Sequence, residues 1–545
     1  MRSIPIGVQS FIEFRESDLY YVDKTDLIDE ILSDAGTKVF LYTRPRRFGK
    51  SLNLSMLDAY LNIDHAGNTW FDGLHVSEKR PNDPLKNSFP VVYLDMKDLN
   101  MRDYPGFLNS FRKKIATLYC RHDYLEDSPK LKPLYRKRFD DIMWERSDDE
   151  DLASSILHLC EMLEMHHGRK PVVLVDEYDS PLNSSYGSEP HNGILQFLKC
   201  VYSSAFKGGV ASFAVITGVM QISKESIFSG LNNISVNNIF STRSDEMFGF
   251  TSDEVRDLCS DCGHPEKYEE ARQWYDGYMF GNAEIYNPWS VLNYVKQDFR
   301  PDEYWAGTSG NSIISTLLDK ADGSVLDDLR ILGEGGSIAR RIDAKISYAD
   351  MDDLDGIYSV MVLSGYLKAV PSDDGYLLSI PNMEMFRVFG RMATDRFGSP
   401  VAVALDRFCS SLRRNDADGI SESLSSLLMS VLSSRVLDHE HSYQAFVAGM
   451  LLKLYGRYSL FADGERGKGY YDILLKSNRP CDPSIIIEFK KARANARDDT
   501  MRRISETALQ QIRDKEYFHG LTGDVLMYGI AVRGKDVVIT SDSFR

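Results

Sequence analysis

The chain has 545 residues, 43% hydrophobic and 26% charged, enough for three or four packed domains of about 150 residues and too apolar for a disordered polymer. Its 64 lysines and arginines stand against 80 acids, and the net charge of −16 excludes a protein that coats nucleic acid with its whole surface. Seven cysteines without framework spacing exclude a disulfide scaffold and predict a reducing, cytoplasmic setting, and no apolar run is long enough for a secretory signal or a membrane span.

Taken in chain order, KVFLY at 38–42 is a short apolar run bounded by Gly36 and Arg44-Pro45, which predicts a buried strand. A loop, Arg46-Arg47-Phe48-Gly49-Lys50-Ser51, separates it from LNLSMLDAYL, which has helical spacing. Further strands are predicted at 90–95, 171–175 and 211–216, with a largely helical polar segment over 97–150. The run Ser147-Asp148-Asp149-Glu150-Asp151 reads as the cap and first turn of a helix over 152–165, where its acids complement the dipole. Continuous apolar strands alternating with helices predict an α/β fold with a parallel sheet over residues 1–243. Residues 244–400 read as a mostly helical middle domain. Cys259 and Cys262 lie there, but zinc needs about four ligands and no second pair stands nearby, so they read as helix-end cysteines. The last domain, 401–545, is predicted helical over 403–460. Strands follow at 470–476 and 484–490, then a helix at 499–516 and strands at 525–532 and 536–540.

Gly49-Lys50-Ser51 between a strand and a helix suits phosphate binding. Backbone N–H groups and the helix N-terminus hold phosphate oxygens, the Lys50 ammonium reaches the outer phosphates, and the Ser51 hydroxyl ligates Mg²⁺. Arg46 and Arg47 belong to the same nucleotide-binding loop. The full pattern has a glycine where this chain has Arg44. Asp176-Glu177, ending the apolar run PVVLV, supplies the second half: Asp176 for the Mg²⁺ shell, Glu177 to orient or activate water. Thr217 closes the next strand as a polar sensor. Arg243 is a candidate arginine finger, with a plain surface arginine as the competing reading.

In the C-terminal domain, Asp472 lies on one predicted strand and Glu488-Phe489-Lys490 on the next. Period two places Glu488 and Lys490 on one face, with Ile485, Ile487 and Phe489 on the other. Two carboxylates and a lysine suit a divalent metal and a phosphodiester, the carboxylates as Mg²⁺ ligands and the lysine beside the attacking water or the developing charge. A salt bridge between Lys490 and one acid is the competing reading. Glu465 is a further candidate ligand and Gln511 a candidate from the following helix. Lys491, Arg493, Arg497, Arg502 and Arg503 form a basic cluster for a nucleic-acid backbone, interleaved with Asp498, Asp499 and Glu506.

Several runs resemble the bacterial AAA-ATPase-like family: YVDKT at 21–25, RPRRFGKSL at 44–52, VDEYD at 175–179, Thr217-Gly218-Val219, FSGLNN at 228–233, FGFT at 248–251, WYDGY at 274–278, YNPWS at 286–290 and SGYL at 364–367. GKGYYDILL at 467–475, IIEFK at 486–490 and ALQQI at 508–512 resemble the PD-(D/E)XK nuclease domain that commonly follows it. The resemblance implies a P-loop NTPase domain, a helical lid and a restriction-endonuclease-like domain, with ATP and Mg²⁺ as cofactors. It implies that Arg44 is usual in that family. It carries over Lys50, Ser51, Asp176 and Glu177 as the ATP site, and Asp472, Glu488 and Lys490 as the nuclease core with Gln511 accessory. The expected function is an ATP-binding, hydrolysing protein coupled to a Mg²⁺-dependent nuclease acting on DNA or RNA. Many relatives place a Tyr-His pair where this chain has Tyr443-Gln444. The alternative is therefore an ATP-responsive interaction switch whose nuclease-like domain binds nucleic acid or protein without cleaving.

Overall fold

The computed structural model describes residues 2–222, 233–305, 335–346, 353–396, 399–431, 440–454, 456–479 and 482–544, with isolated positions between 325 and 351. Most of the FSGLNN run lies outside the described residues. The chain divides into two compact units, Met1–Lys320 with Ala339–Tyr376, and Ala321–Ile338 with Leu377–Arg545.

The first unit is built on a five-stranded parallel sheet in the spatial order Val91–Asp95, Val172–Asp176, Phe213–Gly218, Val39–Thr43, Ile234–Asn237. Strands Val39–Thr43 and Val172–Asp176 are buried at every position, which is why they read as unbroken apolar runs. Register sets Asp176 beside Asp95, and Tyr42 beside Thr217, so the polar residues that end these strands gather at one edge. Ligands bind at this carboxyl edge in open α/β sheets. Asp148 caps a short helix, Asp149–Ala153, by accepting from Asp151 N at 2.8 Å, and the longer helix expected from 152 begins at Ser155, so the acids cap a separate turn ahead of it. The fifth strand, Ile234–Asn237, is unforeseen: four residues are too few to leave a pattern. The stretch expected to be mostly helical contains the helices Ser252–Asp261, Tyr268–Tyr275 and Pro288–Lys296. It also holds a small antiparallel sheet of Phe250–Thr251, Ala283–Tyr286 and Tyr278–Phe280, again too short for periodicity to reveal.

The second unit carries a mixed five-stranded sheet in sequence order: Tyr458–Arg466, Gly469–Ser477, Ser484–Lys491, Val525–Arg533 and Asp536–Phe544. Only the third and fourth strands are parallel. They are joined through the helix Asp498–Asp514, as a parallel crossover requires. Ile485, Ile487 and Phe489 share a core with Phe408, Leu424 and Val447 of the preceding helices. Ile486 and Met527 point the other way, onto Leu509 and Ile512 of the crossover helix. The first strand, Tyr458–Arg466, falls where helix was expected to run until 460. Its SLFADGER sequence carries acids and a glycine on the edge of the sheet, so it lacks a buried-strand signature. No described helix is long and apolar enough to cross a membrane.

Candidate functional site

The loop after strand Val39–Thr43 carries the first site. Gly49 caps the helix Lys50–Leu61 at φ 84°, a left-handed conformation that costs other residues about 1 kcal/mol. Arg47 (φ 71°) and Glu177 (φ 51°) adopt it without being glycine, a strain that recurs where function fixes the backbone.

Arg44, standing where the phosphate-loop pattern has glycine, is fully buried. Its guanidinium donates to Thr43 O (2.9 Å), Asn237 O (3.0 Å), Ser244 O (3.2 Å) and Asn237 Oδ1 (2.7 Å). It also lies 5.1 Å from the ring centres of both Phe248 and Phe280. Burial lowers its pKa to about 10. Arg44 pins the loop to strand Ile234–Asn237. Arg44→Gly, which completes the glycine pattern, is expected to destabilise the protein by roughly 3 kcal/mol or more, because it strands several buried acceptors and opens a cavity. A denaturant melt of the variant checks this.

Lys50 is buried and donates to Arg44 O and Pro45 O, each at 2.9 Å, with burial holding its pKa below the usual lysine value. Ser51 Oγ donates to Asp176 Oδ2 at 2.6 Å, and Thr217 Oγ1 to Asp176 Oδ1 at 2.5 Å. Glu177 N donates to Thr217 Oγ1 at 3.3 Å. Burial raises the Glu177 pKa, opposed by Lys50 and Lys97. The structure therefore joins Ser51, Asp176, Glu177 and Thr217 in one network.

Two members were missed in the sequence. Asp179 is buried and accepts from Val219 N (3.0 Å), Met220 N (2.9 Å) and Asn183 Nδ2 (2.9 Å), which fixes the chain beyond Thr217. Lys97 donates to Ser51 Oγ at 2.9 Å and Asp176 Oδ2 at 3.3 Å, and lies 3.8 Å from Glu177 Oε1. Its only sequence signal is its place two residues past a strand that ends in an acid.

A cavity of about 620 Å³ opens beside Lys50 and Ser51, within the size range of small-molecule sites. Arg46, Arg47, Tyr21, Phe250 and Trp289 line it, together with the N-terminal run Pro5–Gln9. The Arg47 guanidinium lies 4.2 Å from the centre of a Trp289 ring. Arg243 is not in this lining. It pairs with Asp34 at 2.7 Å and donates to Glu30 O at 2.9 Å, the surface-arginine arrangement.

The second site lies on the mixed sheet. Asp472 Oδ2 accepts from Phe489 N at 2.6 Å, which ties the aspartate to the strand bearing Glu488. Lys490 Nζ donates to Glu488 Oε1 at 3.0 Å, and Gln511 Nε2 donates to the same oxygen. Gln511 also donates to Tyr517 Oη (3.2 Å), whose hydroxyl donates to Tyr470 O. Glu488 is 1% exposed, and its Oε2 is buried without a hydrogen bond from the described residues. Burial, then the Asp472 charge, push its pKa up to about 7. Gly529 pairs with Glu488 in the next strand, and a Cβ there would overlap Ser505 O and Leu509 N. The missing side chain lets the helix Asp498–Asp514 approach closely enough to hand Gln511 to Glu488.

Glu465 is not brought to this site: it is exposed and sits opposite Tyr470 in the first hairpin. Among the described residues, no three of His, Cys, Asp and Glu gather as a metal-binding group. Gln444 is buried and its amide donates to Asp472 O at 3.0 Å. Lys491, Arg493, Arg497, Arg502 and Arg503 are all exposed.

Residues 5–228 match the AAA-ATPase-like family model, described as "Predicted AAA-ATPase", and residues 438–542 match that of the PD-(D/E)XK nuclease superfamily. An "Uncharacterized protein in vnfD 5'region" of Azotobacter chroococcum mcd 1 is 29% identical over 397 residues, covering 70% of this chain and 68% of its own length. With the two geometries in view, residues 5–228 are similar to the AAA-ATPase-like family and residues 438–542 to the PD-(D/E)XK nuclease superfamily.

Proposed function

We propose that the chain binds and hydrolyses ATP in its first unit and, under that control, cleaves DNA or RNA in its second with Mg²⁺. The observation that carries the reading is the meeting of Asp472, Lys490 and Gln511 at a buried Glu488. In the first unit, the loop N–H groups and Lys50 hold phosphates, and Arg46 and Arg47 flank them. Ser51 and Asp176 suit Mg²⁺, since their oxygens already accept a cationic partner, the Lys97 ammonium. Glu177 orients the attacking water, and Thr217 links it to Asp176.

In the second unit, Asp472 and Glu488 are the carboxylates that would hold Mg²⁺, and the buried Glu488 Oε2 is an oxygen open to such an ion. The ion would polarise the phosphodiester and offset its charge. Lys490 stands where it supports the attacking water or the developing negative charge, and Gln511 holds Glu488 in place. The exposed basic cluster suits the nucleic-acid backbone.

A metal ligand must be deprotonated. With the Glu488 pKa near about 7, divalent affinity at this site is expected to rise as pH increases and then level off. From pH 6 to pH 8 the ionised fraction changes by about tenfold, so calorimetric Mn²⁺ titrations should show a change of that order.

The test of the whole reading is incubation of the purified protein with single- and double-stranded DNA and RNA, in Mg²⁺ or Mn²⁺, with and without ATP. Cleavage that EDTA stops is expected. Intact nucleic acid under every condition sinks the nuclease reading and favours the second one, an ATP-responsive switch. That second reading rests on Gln444, which stands where many relatives have histidine and which contacts the backbone of Asp472.

A further inference from the structure

Lys97 lies where the sequence pattern gave no reason to expect a cation. Its position is built. Asp95 Oδ1 accepts from Lys97 N at 2.8 Å, closing a turn at the end of strand Val91–Asp95, and Lys114 Nζ donates to Lys97 O at 2.7 Å. Met96 N donates to Asp176 O at 3.0 Å, which locks the turn against the neighbouring strand. From there the ammonium reaches Ser51 Oγ, Asp176 Oδ2 and, at 3.8 Å, Glu177 Oε1. Burial opposes this charge, but Asp176, Glu177 and Asp95 outweigh it and hold the Lys97 pKa above the ordinary lysine value. Lys50, the cation expected at this site, is instead turned into the loop onto two backbone carbonyls.

We propose that Lys97 is a built-in counter-cation of the nucleotide site, occupying the position between Ser51 and Asp176 that a divalent ion would share, and yielding it when such an ion arrives with nucleotide. The inference rests on the ATP-binding reading of the same site. Its physical basis is charge balance. Glu177 in the cavity lining and Asp176, buried behind Ser51, repel a polyanion at this range. With Lys97 in place, Asp176 and Glu177 stay compensated without metal, so nucleotide binds in metal-free buffer as well. Once a divalent ion compensates them, the ammonium is free to turn to the phosphates. Loss of the lysine therefore weakens metal-free binding selectively.

The experiment uses the full chain and an ATP analogue with a fluorescent ribose tag, titrated in Mg²⁺ and in EDTA. The readout is the ratio of the metal-free to the Mg²⁺ dissociation constant. Lys97→Met is expected to raise that ratio at least tenfold over wild type, and Lys97→Arg to return it to within about threefold, since a single tenfold step corresponds to about 1.4 kcal/mol. A Met variant that weakens both conditions equally, or neither, overturns the proposal, because a merely structural lysine moves the two constants together. Thermal melts of both variants identify a folding defect, in which case Lys97→Gln, which loses the charge and keeps a donor, takes the place of the methionine variant in the same ratio. Wild-type protein that binds no analogue in either buffer defeats the ATP reading itself. Wild-type binding that Lys50→Ala removes, with a ratio indifferent to residue 97, defeats only the role of Lys97.

Discussion

Lys490→Ala is expected to lower divalent-dependent cleavage by two orders of magnitude or more while leaving the fold intact, and Asp472→Asn to do the same. The lysine is partly exposed and its ammonium bonds Glu488, so its removal deletes charge at the proposed reacting centre without opening the core. Removal of one group that stabilises developing charge costs about 10²–10³ in rate. Asparagine at 472 is the gentler change, because an amide oxygen still accepts from Phe489 N while the negative charge is gone. Circular dichroism on both variants confirms the fold, and cleavage of end-labelled DNA and RNA is the measurement. Cleavage at wild-type rate in both variants would remove the nuclease assignment from this sheet.

Lys50→Ala is expected to weaken ATP binding by about 100-fold, because on the proposed reading it removes the loop ammonium that would reach the outer phosphates. In the structure that ammonium is buried against Arg44 O and Pro45 O. The alanine variant consequently leaves two carbonyls without their donor and also destabilises the loop. Lys50→Met keeps most of the volume but loses the charge and the same two donor bonds, so the pair separates the effect of the cavity from that of the missing ammonium. Calorimetry with ATP and Mg²⁺ measures both. Retention of affinity within threefold in the methionine variant places the phosphates elsewhere.

The parts of the molecule that were readable in the sequence share a physical property: each is locally encoded. Strands 38–42 and 171–175 are buried on both faces, so composition alone marks them. The faces of 484–490 follow from a period of two, and the observed cores on either side of that strand agree. Ser51 and Asp176 are far apart in sequence, yet each ends or begins an element at the sheet edge, and element order brings them together. What escaped is set by tertiary context. Lys97 and Asp179 gain meaning only from which strand lies beside which. The short strands at 250–251, 278–280 and 283–286 are held by their neighbours and carry no period of their own. Glu465 stands in a glycine-rich lead-in that reads as a loop free to reach Asp472, but the segment is a strand whose register sets it, exposed, opposite Tyr470. The acidity of the whole chain, finally, averages over a surface on which Lys491, Arg493, Arg497, Arg502 and Arg503 are all exposed in one stretch of the second unit.

The buried arginine at the head of the phosphate loop has a kinetic side. A glycine-rich loop of the usual kind is supple, and much of its ordering falls due when ligand arrives. Here Arg44 is bound by four hydrogen bonds and flanked by two phenylalanines, so the loop's first residues lose their freedom during folding. A cradle shaped in advance has little left to order on encounter. Nucleotide exchange on this chain would then be governed by escape from a rigid seat, and capture should proceed in a single fast phase without a slow closing step.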